Sequence, residues 1–132
     1  MRTYRILAIL LILLALLSGC SQNSADQGYK NIGPKELQQM VQNDGKNLFL
    51  LDVREPYELE ETGYIPGAVN IPTGQVAEKI SDLPKDKKLV IYCRSGRRSA
   101  EAAKFLSGKG YGNVYNLEGG ILDWPYEKGK IK

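Results

Sequence analysis

Leu89-Val90-Ile91-Tyr92-Cys93-Arg94-Ser95-Gly96-Arg97-Arg98-Ser99 runs from an apolar, β-branched segment into a cysteine and then into a short loop of arginine and glycine. Ala100-Glu101-Ala102-Ala103-Lys104-Phe105-Leu106 follows and reads as a helix. The order is strand, anion-cradling loop, helix. It sets Cys93 at the carboxyl end of a strand, which is where ligands bind in parallel sheets covered by helices. Amide groups at a helix N-terminus favour negative charge, and such surroundings lower the pKa of a thiol. The thiolate, rather than the thiol, is the nucleophile.

Working outward, the chain of 132 residues with 42% hydrophobic content is long enough for one modest domain. Lys and Arg number 18 against 15 Asp and Glu, a mixture that lacks the clustered basic face expected of a nucleic-acid protein, so no nucleic-acid partner is expected. The sequence contains no histidine, which removes a Cys–His dyad, the commonest general base and the commonest metal ligand together. Its two cysteines, Cys20 and Cys93, build neither a zinc cage nor a disulfide framework, and no metal site is expected.

The segments around the loop alternate in type. Tyr29-Lys30-Asn31-Ile32 reads as a short strand, and Gly33-Pro34 opens a helix with proline at its first position and Leu37, Met40 and Val41 on one face. Leu48-Phe49-Leu50-Leu51-Asp52-Val53 is an unbroken apolar run suited to a strand covered on both faces, with Asp52 interrupting it near its end. Arg54 to Gly63 is acidic and predicts a helical turn, and Ala68-Val69-Asn70-Ile71 predicts a strand. Thr73 is expected to cap a short helix through Val76, Ala77 and Ile80, ending at Asp82-Leu83-Pro84. The helix after the loop is expected to begin near Ser99, to bury Ala102, Phe105 and Leu106, and to stop at Gly108-Lys109-Gly110. Asn113 to Leu117 predicts the last strand, and Ile121 to Trp124 a short helix. This alternation predicts an α/β fold, with a mostly parallel sheet of about five strands flanked by helices.

The six residues from Cys93 to Arg98 can curl around one point. Their amides then converge above the sulfur as an anion nest, Gly96 permits backbone angles that other residues resist, and Arg94, Arg97 and Arg98 add forked cationic donors. Such a pocket would hold a thiolate, an anionic substrate, or a charged persulfide.

At this point the chain resembles the rhodanese family of sulfurtransferases. Cys93-Arg94-Ser95-Gly96-Arg97-Arg98 resembles the family's Cys-Arg-x-Gly-x-Arg loop, and Asp52-Val53-Arg54-Glu55 the segment after its second strand. Gly63-Tyr64-Ile65-Pro66-Gly67-Ala68 resembles the family's Gly-His-Ile-Pro-Gly-Ala stretch, and Glu118-Gly119-Gly120-Ile121 with Trp124 its last strand-to-helix turn. The resemblance implies a three-layer rhodanese-like domain over residues 29–132. It also implies a thiosulfate-type sulfurtransferase in which Cys93 is nucleophile and persulfide carrier while Arg94, Ser95, Gly96, Arg97 and Arg98 bind the anions. The implied partners are a small anionic sulfur donor and a thiol or cyanide acceptor, with a protein thiol among the possibilities, and no cofactor is implied. A monomer is expected. Tyr64 stands where the family most often has histidine, and the expectation is that its ring braces the loop in the same way.

Residues 1–19 open with Arg2 and Arg5 and continue as an apolar run from Ile6 to Leu17. That run is shorter than the roughly 20 residues a membrane-spanning helix needs, and it fits a signal-peptide core. Leu17-Ser18-Gly19-Cys20 resembles the lipobox of bacterial lipoproteins, which implies cleavage before Cys20 and lipidation, including palmitate, of that residue. Residues 20–28 then read as the lipidated cysteine and a flexible tether. The expected location is the bacterial cell envelope, lipid-anchored to a membrane and outside the cytoplasm.

Other readings set limits. A core cysteine needs no glycine and three arginines in the next five positions, although free cysteines are often buried. Cysteine phosphatases and some arsenate reductases use Cys-x5-Arg loops, whereas here the sixth position after Cys93 is Ser99 and the arginine comes one earlier, at Arg98. A thiol or persulfide redox relay and a non-catalytic rhodanese-like binding module are the remaining alternatives. Asp52 and Arg54 read as an ion pair at a strand end in preference to substrate contacts.

Overall fold

The strand predicted around Leu89 is the middle of the sheet. The computed structural model describes residues 27–131, so the expected signal peptide, the lipobox-like segment and Cys20 lie outside the described residues. Five strands, β1 (Lys30–Ile32), β2 (Leu48–Asp52), β3 (Val69–Asn70), β4 (Lys88–Tyr92) and β5 (Val114–Leu117), form one sheet in the order β1-β5-β4-β2-β3. Every pairing is parallel. Three α-helices, α1 (Pro34–Asp44), α2 (Pro56–Thr62) and α3 (Arg97–Gly108), complete the α/β architecture with several 3-10 turns.

Alternation along β4 divides the core into two layers. Leu89, Ile91 and Cys93 pack with Leu51, Val53 and the Ala102, Ala103 and Leu106 face of α3. Val90 and Tyr92 point the other way, among Leu37 of α1, Ile65, Leu117, Ile121 and Trp124. Residues 89–93 are all at most 1% exposed, which is why this strand is apolar throughout instead of alternating with polar residues.

Two expectations are corrected. The segment after Thr73 is no α-helix but two 3-10 turns, Thr73–Gln75 and Ile80–Asp82. Thr73 Oγ1 donates to the Val53 carbonyl at 2.9 Å and ties the turn to β2 in place of capping a helix. Val76 and Leu83 fill the core from this irregular stretch. The second correction concerns α3, which begins at Arg97 and turns Ser99, Ala102, Ala103 and Leu106 inward while Phe105 is 37% exposed. Alanines at the contact let the helix axis approach the sheet, and the Phe105 ring at the margin has the Lys109 ammonium 5.6 Å from its centroid.

The end of β2 carries a buried ion pair. Arg54 donates to Asp52 through Nη2 at 2.6 Å and Nε at 3.0 Å; Nη2 also donates to the Gly63 carbonyl and Nη1 to Thr62 Oγ1, both at 2.8 Å. Asn70 Nδ2 bridges the carbonyls of Asp52 and Arg54. The ion pair at the strand end is the one the sequence suggested, and the bonds around it join β2, α2 and the edge strand β3. Burial disfavours the charged guanidinium, but the Asp52 carboxylate outweighs it and holds Arg54 above its ordinary pKa. Removing one member of such a pair strands the other charge in the interior. Arg54→Leu is expected to destabilise the fold by about 3–5 kcal/mol, read as a lowered urea midpoint.

Candidate active site

The chain leaves β4 at Tyr92 and turns sharply at Gly96, whose φ of +99° lies in the left-handed region. A side chain at Gly96 would also crowd the Gly119 amide and the Leu117 carbonyl, at 3.2 and 3.3 Å from its Cβ. This turn aims the start of α3 back at the cysteine. Gly96 N–H donates to Cys93 Sγ at 3.1 Å, and Ser99 Oγ lies 3.4 Å from the same sulfur.

Cys93 is fully buried, and burial by itself pushes its thiol pKa up. Hydrogen bonding from the Ser99 side chain and from the amides of Ser99, Gly96 and Ser95 outweighs burial and leaves the thiol below its ordinary value. The thiolate is thus stabilised chiefly by oriented dipoles.

The turn after β5 forms the floor. Ile121 N–H donates to the Cys93 carbonyl at 3.0 Å and Leu122 N–H to the Arg94 carbonyl at 3.1 Å. Gly120 approaches so closely that a Cβ there would overlap both carbonyls. Glu118-Gly119-Gly120-Ile121 therefore supports the loop from below.

The three arginines occupy different settings. Arg94 is exposed and, with Leu122, lines a cleft of about 370 Å³ that also takes in Tyr57, Glu58, Glu61 and Lys128. Arg97 faces solvent beside Glu101, 3.7 Å away with side chains 80% and 65% exposed. Arg98 is half-buried and forked onto Glu58, with both nitrogens 2.8 Å from the carboxylate oxygens. Ser95 is exposed and Gly96 buried. Arg98 is held above its ordinary pKa, mainly by Glu58 and further by the charge of Cys93, with burial opposing.

Glu58 and a polar chain behind the sulfur are absent from the sequence-based site. Glu58 lies in an acidic run where one carboxylate looks like the next. Ser99 reads in sequence only as a helix start, and Asn116 as one polar position in a short strand. In the fold Ser99 Oγ is 2.6 Å from Asn116 Oδ1, and Asn116 Nδ2 donates to Asn31 Oδ1 at 3.0 Å. Tyr64 engages the C-terminal tail, forming an antiparallel bridge with Gly129 and laying its ring on that glycine. Among the described residues, no three His, Cys, Asp or Glu side chains come together as a metal site.

The rhodanese-like domain model matches residues 33–127. The chain belongs to the rhodanese-like family. A sulfurtransferase of Allochromatium vinosum is 44% identical over 81 residues, covering 61% of this chain and 75% of that protein. The putative sulfurtransferase YtwF of Bacillus subtilis is 43% identical over 98 residues, covering 74% of this chain and 92% of that protein. Among solved structures, a rhodanese-related protein from Thermoplasma volcanium superposes with a TM-score of 0.65 at 41% identity, covering 73% of this chain and 90% of that one. In this rhodanese-like domain the loop Cys93–Arg98 is thus held from two sides, by the Gly119-Gly120 turn below and by Glu58 across the cleft.

Arg98 and the backbone of Glu55 hold the Glu58 carboxyl at about 2, against 4.5 for an unpaired glutamate, with burial opposing. A carboxyl depressed on folding contributes stability that is complete above the unfolded value and is lost as pH falls through the folded one. Glu58→Gln is expected to lower stability on the order of 1 kcal/mol at neutral pH. Urea titrations should show that difference shrinking as pH drops from 4.5 toward about 2.

Proposed function

We propose that the protein moves sulfane sulfur from thiosulfate or a related anionic donor to a thiophilic acceptor through a persulfide on Cys93. The observation that carries this reading is a buried cysteine sulfur at the start of a six-residue loop, met by the Gly96 amide at 3.1 Å. The Cys93 thiolate attacks the outer sulfur of thiosulfate; a new S–S bond forms, the old one breaks, and sulfite leaves with its electron pair. The charge then sits on the outer sulfur of the persulfide. An acceptor such as cyanide takes that sulfur, leaving as thiocyanate and restoring the thiolate. Arg94 and Arg98 supply positive charge to the donor, Arg98 from a position held by Glu58.

The names of the relatives, a sulfurtransferase in Allochromatium and a putative one in Bacillus, support transfer in general; the short loop and its arginines favour a small anionic donor. The full-length chain carrying Cys20→Ala, in detergent, leaves Cys93 as the only thiol. Incubated with thiosulfate, it is expected to gain the mass of one sulfur atom, removed by cyanide, while a further Cys93→Ser change abolishes the gain. A gain that persists without Cys93 would refute the mechanism.

We further propose that Leu17-Ser18-Gly19-Cys20 directs lipidation of Cys20 and anchors the domain to a membrane outside the cytoplasm. Several acyl chains give stable anchoring where one is marginal. In a bacterial host, Cys20→Ala is expected to end incorporation of labelled palmitate; undiminished labelling would exclude the site.

A further inference from the structure

Behind the nucleophile lies a polar chain that the sulfur-transfer reading leaves unused. Ser99 is fully buried and Asn116 is 3% exposed. The Ser99 hydroxyl has one proton and two acceptors in reach, Cys93 Sγ at 3.4 Å and Asn116 Oδ1 at 2.6 Å. Asn116 cannot turn its amide away without losing a bond, because its Nδ2 donates to Asn31 Oδ1 at 3.0 Å. Oδ1 carries no hydrogen, so the short contact is a bond donated by Ser99. The proton that would stabilise the Cys93 thiolate is therefore drawn toward Asn116.

We propose that Asn116, oriented by Asn31, is a positioning residue that competes with Cys93 for the Ser99 proton and so sets how readily Cys93 ionises. This rests on Cys93 being the sulfur carrier, and it explains why a second acceptor is placed there. Once ionised, Sγ is an anion and a good acceptor. In the persulfide the charge moves to the outer sulfur, and Sγ becomes a neutral sulfur that accepts hydrogen bonds weakly. A buried hydroxyl left without a partner is costly. Asn116 keeps the Ser99 proton bonded in that state, so the hydroxyl has a partner at both ends of the cycle.

The charged and titratable groups around Cys93 are Arg94 of the loop, Arg97 and Arg98 of α3 with Glu58 of α2, the Asp52–Arg54 pair and Tyr92 at the strand ends, and Glu118 after β5. The substitutions that test the proposal alter none of them.

The test is the pH dependence of Cys93 alkylation by iodoacetamide, in the full-length Cys20→Ala chain in detergent. Asn116→Val removes the competing acceptor and is expected to shift the inflection to lower pH by about half a unit or more. Ser99→Ala is expected to shift it upward, and in that background Asn116→Val should have no effect. Asn31→Ala, on an exposed edge position, frees the Asn116 amide to turn its Nδ2 toward Ser99 and is expected to lower the inflection if Asn116→Val does not fold. An upward or absent shift in the variants that fold, or a shift of equal size without the Ser99 hydroxyl, overturns the proposal. Alkylation needs no sulfur donor, so the result separates from the thiosulfate mass gain. A chain that loads sulfur but shows no shift loses only the role of Asn116, whereas one that shifts but never loads loses the thiosulfate reading.

Discussion

A thiolate out of reach of solvent is tolerable only when donors meet it in its own cavity. That constraint organises this domain. The donors are the Ser99 hydroxyl and the amides of Ser95, Gly96 and Ser99, and they converge because Gly96 takes a left-handed conformation that lets the chain double back. The convergence in turn needs a support beneath the loop, supplied where Ile121 and Leu122 donate to the Cys93 and Arg94 carbonyls and where Gly120 has no side chain to intervene. Each glycine in this part of the chain is thus tied to the ionisation of one sulfur.

The rest of the fold holds those pieces in register. β4 is the central strand and is buried on both faces, so its end is among the least mobile points available for a nucleophile. β5 is paired directly with it and delivers both Asn116 and the Gly119-Gly120 turn. On the other flank β2 ends in the Asp52–Arg54 pair, which orients α2 and with it Glu58, the carboxylate that grips Arg98. Three strands that are neighbours in space but scattered in sequence therefore each contribute one wall of the same pocket.

Much of this was legible before any coordinates. Apolar runs mark the strands, Pro34 opens α1, and the composition of the Cys93–Arg98 loop, which packing does not explain, singles out the segment that the fold places at the end of β4. The segment from Thr73 to Leu83 was misread because Val76 and Ile80 mimic helical spacing, while tertiary bonds such as Thr73 to Val53 decide the backbone. Phe105 was misplaced because hydrophobicity suggested burial where close helix-to-sheet contact selects alanine. Glu58 and Asn116 were illegible for another reason. Their partners lie 40 and 17 residues away, and no local pattern distinguishes a carboxylate or an amide that will find such a partner from one that faces water.

Cys93 has no exposed surface in this structure. In the proposed persulfide the outer sulfur stands about 2 Å beyond Sγ, so the reactive atom sits farther from the strand than the resting thiol does. The empty protein conceals its sulfur, and under the proposed cycle the loaded protein is the one that presents it. A partner too large to enter the loop then meets a reactive atom only after the donor has been consumed, and bulky oxidants are kept from the resting thiol by the same walls. The depth of one side chain serves as a latch that the cargo itself releases.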